Sequence, residues 1–232
     1  RKNIPRYRNF NVFDKITKVI KTENINNYYS KIKKAKPDII LVAGWSGIIS
    51  NKILEIPKYG VIGFHPSDLP RDRGRSVLAW QIEEGYVKTA LSIFFFTKKA
   101  DAGDVIGKHK IIIKKKEYVN DILEKIDLTT IKLLNKYFDK FFSKKLKRKK
   151  QDSNNATYRK IRSYKNQLIN WNKSGDDIIN KIRAISKPYP GAIGVIKNKR
   201  YKIWKARIFN AKKNKKNLLK KSFKDCSIEL LN

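Results

Sequence analysis

The chain has 232 residues, 41% hydrophobic and 11% aromatic, which is enough for a sizeable core and excludes wholesale disorder. Its formal net charge is +35, but 43 of the 55 basic residues are lysine and 12 arginine, an excess that speaks to solubility and non-specific attraction rather than to a built phosphate site. No apolar run approaches the ~20 residues of a membrane span, no secretory leader is visible, and a single cysteine, Cys226, rules out an internal disulfide and suits a reducing, cytoplasmic compartment.

Residues 1–10 are polar and basic without periodicity, and a short strand is expected near 10–13. Residues 14–35 read as a helix, with Ile16, Val19 and Ile20 on one side. Lys36-Pro37-Asp38 breaks it and opens Ile39-Ile40-Leu41-Val42-Ala43, a β-branched run that predicts a strand buried on both faces, as in a parallel sheet. After the loop Gly44-Trp45-Ser46-Gly47 comes a short helix over 50–56 with Ser50 as its cap, then a second buried strand over 59–64. A Pro/Arg/Gly loop spans 66–75. Ser76 is expected to cap a helix over 77–84 that stops at Gly85, and strands follow over 89–96 and 105–113.

The clearest helix runs over 117–142, where Val119, Ile122, Leu123, Ile126, Leu134, Phe138 and Phe141 recur at three and four. Lys144–Lys150 holds six basic residues around Leu146 and joins the polar stretch 151–155; a solvated linker and domain boundary are expected there, dividing 1–146 from 156–232 across 147–155. Beyond it a helix over 174–185 and strands near 192–196 and 201–209, joined across an Asn198-Lys199 turn, predict a small β-rich unit.

Charge is uneven. Residues 61–110 carry 8 basic and 6 acidic groups, and the remaining 182 residues 47 and 14. The near-neutral window holds both histidines. His109, between two lysines in a strand, reads as a surface residue. His65 stands where an apolar strand meets a Pro-rich loop, the carboxyl edge at which open α/β sheets place ligands. An acidic turn, Ala100-Asp101-Ala102-Gly103-Asp104, supplies a carboxylate that could reach it. A His–Asp pair fixes the imidazole tautomer, as proton transfer near neutral pH requires. No cluster has metal-ligand spacing, and no metal is expected.

The stretch from Gly60 to Gly107 resembles the N10-formyltetrahydrofolate-dependent formyltransferases, a family that includes the nucleotide-sugar N-formyltransferases and methionyl-tRNA formyltransferase. The resemblance rests on His65, Ser67, Leu69, Pro70, Arg73, Gly74, Asp101 and Gly103, with Asp101 36 positions after His65. It continues in Ala156-Thr157-Tyr158, Ile169-Asn170-Trp171 and Pro188-Tyr189-Pro190-Gly191. It implies a Rossmann-like, mostly parallel α/β sheet with a smaller, β-rich, OB-like C-terminal domain. The chain starts at Arg1 and contains no methionine; by the same comparison its first strands are expected to be missing.

The resemblance also implies chemistry. An amine attacks the formyl carbon of N10-formyltetrahydrofolate, and donors aimed at the developing oxyanion lower the barrier. His65 would donate to it, Asp101 would orient His65, and Ser67, Asp68, Leu69 and Pro70 would contact the folate donor. Two positions depart from the family pattern: Gly63 stands where the family has an Asn, and Asp68 where it has a Leu. Asn at position 63 is therefore expected to preserve or raise activity.

Arg75 and Trp45 are the candidate acceptor contacts, Arg75 through paired hydrogen bonds to a diphosphate and Trp45 by stacking. They favour a nucleotide-linked amino sugar. The alternatives are methionyl-tRNA, held by the basic linker and C-terminal unit, and an inactive homologue serving as a basic nucleic-acid-binding module. No membrane partner is expected; a homodimer is compatible with the sequence.

Overall fold

The computed structural model describes residues 13, 15–143, 146–209, 220–222 and 227–231. Most of the strand expected near 10–13 and most of the tail beyond Lys212 lie outside these residues. Of the helix expected over 14–35, only a 3-10 turn (Ile25–Tyr28) and α1 (Tyr29–Ala35) form among the described residues. The reason is local. Ile16 is 81% exposed, so the apolar side has nothing to pack on, and the Asn24 side chain accepts from the Asn26 N–H to start a new turn. Lys36 ends α1 in the left-handed region.

β1 (Ile40–Val42) leads through α2 (Asn51–Leu54) to β2 (Val61–His65), which pairs parallel to it. β3 (Arg73–Gly74) and α3 (Val77–Glu83) precede β4 (Lys88–Phe95) and β5 (Val105–Ile112). The main sheet runs β1-β2-β4-β5, with β1–β2 parallel and β2–β4 and β4–β5 antiparallel, the α/β sheet of the expected Rossmann-like fold. Every residue of β4 after Lys88 is buried, as a central strand covered on both faces demands. Ser50 and Ser76 stand at the starts of α2 and α3, but neither side chain caps; Ser76 is left-handed, and its Oγ accepts from the Arg162 N–H instead.

α4 (Val119–Phe141) opens with a capping box between Tyr118 and Asp121 and lays Val119, Ile122, Leu133 and Phe141 into the core. Phe138, expected on that face, is 44% exposed. After β6 (Tyr158–Arg159), α5 (Gly175–Ala184) is capped by Ser174 and buries Ile178 and Ile182 in the same core as Ile82 of α3 and Ile93 of β4. β7 (Ala192–Ile196) and β8 (Lys199–Ile203) form a hairpin turned by Lys197 and Asn198, both left-handed, one residue before the expected turn. β9 (Lys205–Phe209), β10 (Lys220–Ser222) and β11 (Ser227–Leu231) form a three-stranded sheet of order β10-β11-β9, which gives the smaller β-rich part. Polar clamps join it to the first part: Glu83 on α3 receives both Arg162 and Lys181, the latter at 2.8 Å.

Candidate active site

His65 is the last residue of β2, paired with Ser92 of β4, so a five-residue apolar strand delivers an imidazole to the carboxyl edge of the sheet. The chain then turns back on itself. The Ser67 N–H donates to the His65 carbonyl, Ser67 Oγ to the Arg71 carbonyl at 2.7 Å, and Ser92 Oγ to the Ser67 carbonyl at 2.7 Å. This folding brings the backbone carbonyl of Asp72 to 2.7 Å from His65 Nε2. A carbonyl only accepts, so Nε2 carries the proton of that bond.

Asp101 arrives from the β4–β5 turn in a left-handed conformation (φ 52°). Its Oδ2 lies 3.6 Å from His65 Nδ1 and accepts the Gly74 N–H at 2.8 Å. The two residues expected to converge from 36 positions apart therefore do so, with His65 only 6% exposed. Phe94 meets the imidazole edge-on, with centroids 6.4 Å apart.

The turn carrying Asp101 is itself held. Gln151, 8% exposed, donates through Nε2 to the carbonyls of Asp101 (2.8 Å) and Gly103 (2.6 Å) and accepts through Oε1 from Arg73 Nε and Nη2 (3.2 and 2.8 Å). Arg73, 1% exposed, also donates from Nη1 to the Tyr158 hydroxyl. Asp72 takes Gln81 Nε2 at 2.9 Å and Arg159 Nε at 2.6 Å, and Arg159 also grips Glu84; hydrogen bonding to Glu84, then to Asp72, raises the guanidinium pKa further above its already high range despite burial. β3 pairs parallel with β6, and the Arg73 and Arg75 N–H groups donate to the carbonyls of Thr157 and Arg159. The stretch expected to be a solvated linker is thus partly built into the site.

The other expected contacts divide. Ser67 is fully buried and Leu69 1% exposed among Phe94 and Val105, so their side chains shape the loop and cannot line an open surface. Pro70 is half-buried, and Asp68 is exposed, its carboxylate 2.6 Å from Lys108 Nζ. Arg75 is exposed; among the described residues its guanidinium has no carboxylate partner, since Asp72 is taken by Arg159 and Gln81. Trp45 lies half-buried just beyond β1, which ends beside β2, and its Nε1 is buried without a hydrogen-bond partner. Gly44 beside it is left-handed (φ 67°) with open space where a Cβ would stand. An open cavity of about 510 Å³ lies between α1 and α2, away from the site, and one of about 570 Å³ borders it, lined by Asp68, Asp72 and Gln81; neither is lined by His65 or Asp101. Among the described residues no group of three or more His, Cys, Asp or Glu side chains converges as metal ligands would, and no helix is long and apolar enough to cross a membrane.

Gly63 departs from the expectation attached to it. It sits mid-β2 under Phe96, and a Cβ there would lie 2.1 Å from the Phe96 ring, which stacks on Phe94 at 5.2 Å. An Asn at 63 therefore requires the ring to leave. Gly63→Asn alone is expected to lower stability by about 1–3 kcal/mol, the range for overpacking, and the same change made in a Phe96→Ala background should cost much less. Denaturant midpoints of the two single variants and the double variant measure this coupling; additive effects would show that ring and glycine are independent.

Sequence reasoning missed Gln151 and Asp72. Gln151 follows a lysine run and lies 50 residues from Asp101, so no spacing announces it. The Ala156-Thr157-Tyr158 motif was the available sign that this segment meets the site: Thr157 Oγ1 accepts the Asp72 N–H at 2.8 Å.

Comparison with known proteins follows the same lines. The Formyl transferase family matches residues 9–137, more than half the chain, and the family named Formyl transferase, C-terminal domain, matches residues 162–226. The bifunctional polymyxin resistance protein ArnA of Wigglesworthia glossinidia brevipalpis is 35% identical over 188 residues, covering 80% of this chain and 29% of the relative. The methionyl-tRNA formyltransferase of Bacillus subtilis is 32% identical over 187 residues, covering 81% of this chain. The chain spans 57% of that relative's length. The crystal structure of WlaRD, a sugar 3N-formyl transferase in the presence of dTDP and 5-N-formyl-THF, shares the fold with a TM-score of 0.65 at 20% identity, covering 85% of this chain and 74% of that one. With two family matches in order along the sequence and with the His65–Asp101 pair assembled at the sheet edge, this chain belongs to the formyl transferase family.

Proposed function

We propose that the protein transfers a formyl group from N10-formyltetrahydrofolate to the primary amine of a nucleotide-linked amino sugar. The observation that carries this reading is the meeting of His65 and Asp101 at the carboxyl edge of β2. Trp45, half-buried just beyond β1, is the candidate acceptor contact by stacking, and beside it open space lies where a Cβ of residue 44 would stand. Trp45, Asp68 and Pro70 would hold the two substrates, while Ser67 and Leu69 fix the loop from within. The donor supplies the formyl carbon: the amine forms the new C–N bond, the bond from that carbon to N10 breaks, and tetrahydrofolate leaves with N10 taking up the proton the amine gives off. His65 Nε2–H, now donated to the Asp72 carbonyl, would turn to the oxygen that gains negative charge as the amine adds. Asp101 keeps the ring oriented through Nδ1 and is itself fixed by the Gly74 N–H.

The acceptor reading rests on Arg75, an exposed guanidinium able to grip a diphosphate through paired hydrogen bonds. Methionyl-tRNA is the second reading, favoured by the exposed Lys197, Lys199, Arg200, Lys202 and Lys205 along β7–β9. The experiment offers the purified chain the folate donor with a panel of amino-sugar nucleotides and with charged initiator tRNA. Formyl transfer to a sugar nucleotide, changing little with moderate salt, is expected. Transfer to tRNA alone, falling steeply with salt, would overturn the sugar reading. Salt-sensitive RNA binding without transfer would leave the basic binding module.

A further inference from the structure

Resting on that reading, we propose that Gln151 is a positioning residue for the reaction, holding the Asp101 turn against His65 from the segment that joins the two parts of the protein. Its amide works in both directions at once. The two Nε2 hydrogens are spent on the carbonyls of Asp101 and Gly103, either side of Ala102, which fixes the turn at both ends. The oxygen accepts a fork from Arg73. Arg73 is almost wholly buried and, among the described residues, meets no carboxylate; Gln151 Oε1 and the Tyr158 hydroxyl are what satisfy its charge. A cation on the oxygen side polarises the amide and makes its N–H groups stronger donors.

The consequence for Asp101 is geometric. Its backbone is left-handed, a conformation a non-glycine residue keeps only where its surroundings hold it. Of the contacts that do so, the Gly74 N–H holds the carboxylate and Gln151 holds the backbone. Arg73, immediately before Gly74, is tied to the same amide. Gln151 thus fixes the turn and the strand that accepts it as one unit. A packing residue would not need two donors and an acceptor pointing three ways.

The test uses Gln151→Ala and Gln151→Glu in the intact chain. The glutamate variant keeps volume and the Arg73 contact but removes both donors. Both variants should lower kcat by roughly tenfold to a hundredfold, the scale of an ångström of misplacement, with KM for either substrate within about twofold. An independent readout needs no activity. The chain has two histidines, so ring nitrogens labelled with heavy nitrogen report His65 and His109 as separable resonances. The His65 signals should move in both variants while those of His109 stay. Unmoved His65 signals, or a glutamate variant with wild-type kcat, would overturn the proposal. Moved signals in a protein that transfers no formyl group would leave the positioning role standing and remove the proposed reaction instead.

Discussion

Replacing His65 by alanine is expected to cut formyl transfer by at least a hundredfold to a thousandfold, the loss that follows removal of one oxyanion donor, ~2.7–4 kcal/mol. The figure holds if the imidazole only donates, and proton transfer by the same ring would add to it. Alanine also frees the Asp72 carbonyl, which accepts from Nε2 inside a buried loop, so a poor rate alone would be ambiguous. His65→Gln answers this by keeping an amide N–H for that carbonyl while losing the imidazole.

The expected pattern is a glutamine variant with near-native thermal stability, intact folate binding and a rate close to that of the alanine variant. If glutamine instead restores the rate, the histidine serves the loop and not the chemistry. Asp101 supplies the second half of the pattern. Among the described residues its carboxylate meets His65 Nδ1 and the Gly74 N–H alone, so Asp101→Asn should weaken the same step without adding to the loss in His65→Ala.

What could be read from the residues alone was the part written locally. β1 and β2 announce themselves as apolar runs followed by Gly or Pro, and the structure places the main-sheet strands within a residue or two of the expected bounds. His65 and Asp101 were legible because each closes or follows such a strand and their spacing matches a family pattern. The helix expected over 14–35 failed because periodicity shows which face wants burial, not whether anything is there to cover it; Ile16 and Ile20 stay exposed. Gly63 was misread for a related reason. A glycine in a strand reads as a missing side chain, whereas here its hydrogen is the clearance for Phe96, 33 residues later. The direction of His65 Nε2 was equally invisible, since it is set by a backbone carbonyl that any residue at position 72 would present. Gln151 shares that difficulty: its three partners come from the Arg73 strand and the Asp101 turn, and only folding assembles them.

Gly103 offers a sharper test of the turn than any of the polar contacts. A Cβ at this position would lie 1.8 Å from the Phe95 carbonyl oxygen and 2.8 Å from its carbon, with Thr97 Cγ2 at 2.9 Å. Phe95 ends β4, the fully covered central strand, and its N–H is bonded to the Asp104 carbonyl. Backbone so placed cannot swing aside as a phenyl ring can. In Gly103→Ala the turn must move, and the only direction left is away from the sheet, carrying Asp101 from His65 and the Gly103 carbonyl from Gln151. The expected cost is at or above the upper end of the ~1–3 kcal/mol typical of overpacking, together with a fall in kcat of about a hundredfold or more for a displacement of that size. The contrast with Gly63 decides the interpretation. There a second substitution, Phe96→Ala, should relieve the strain; here trimming Thr97 to alanine should relieve almost none, because the obstruction is a carbonyl. Melting curves and transfer rates for Gly103→Ala and Gly103→Ala/Thr97→Ala test this directly, and rescue by the second change would mean that the turn is held by side-chain packing and that the backbone of β4 does not fix where Asp101 sits.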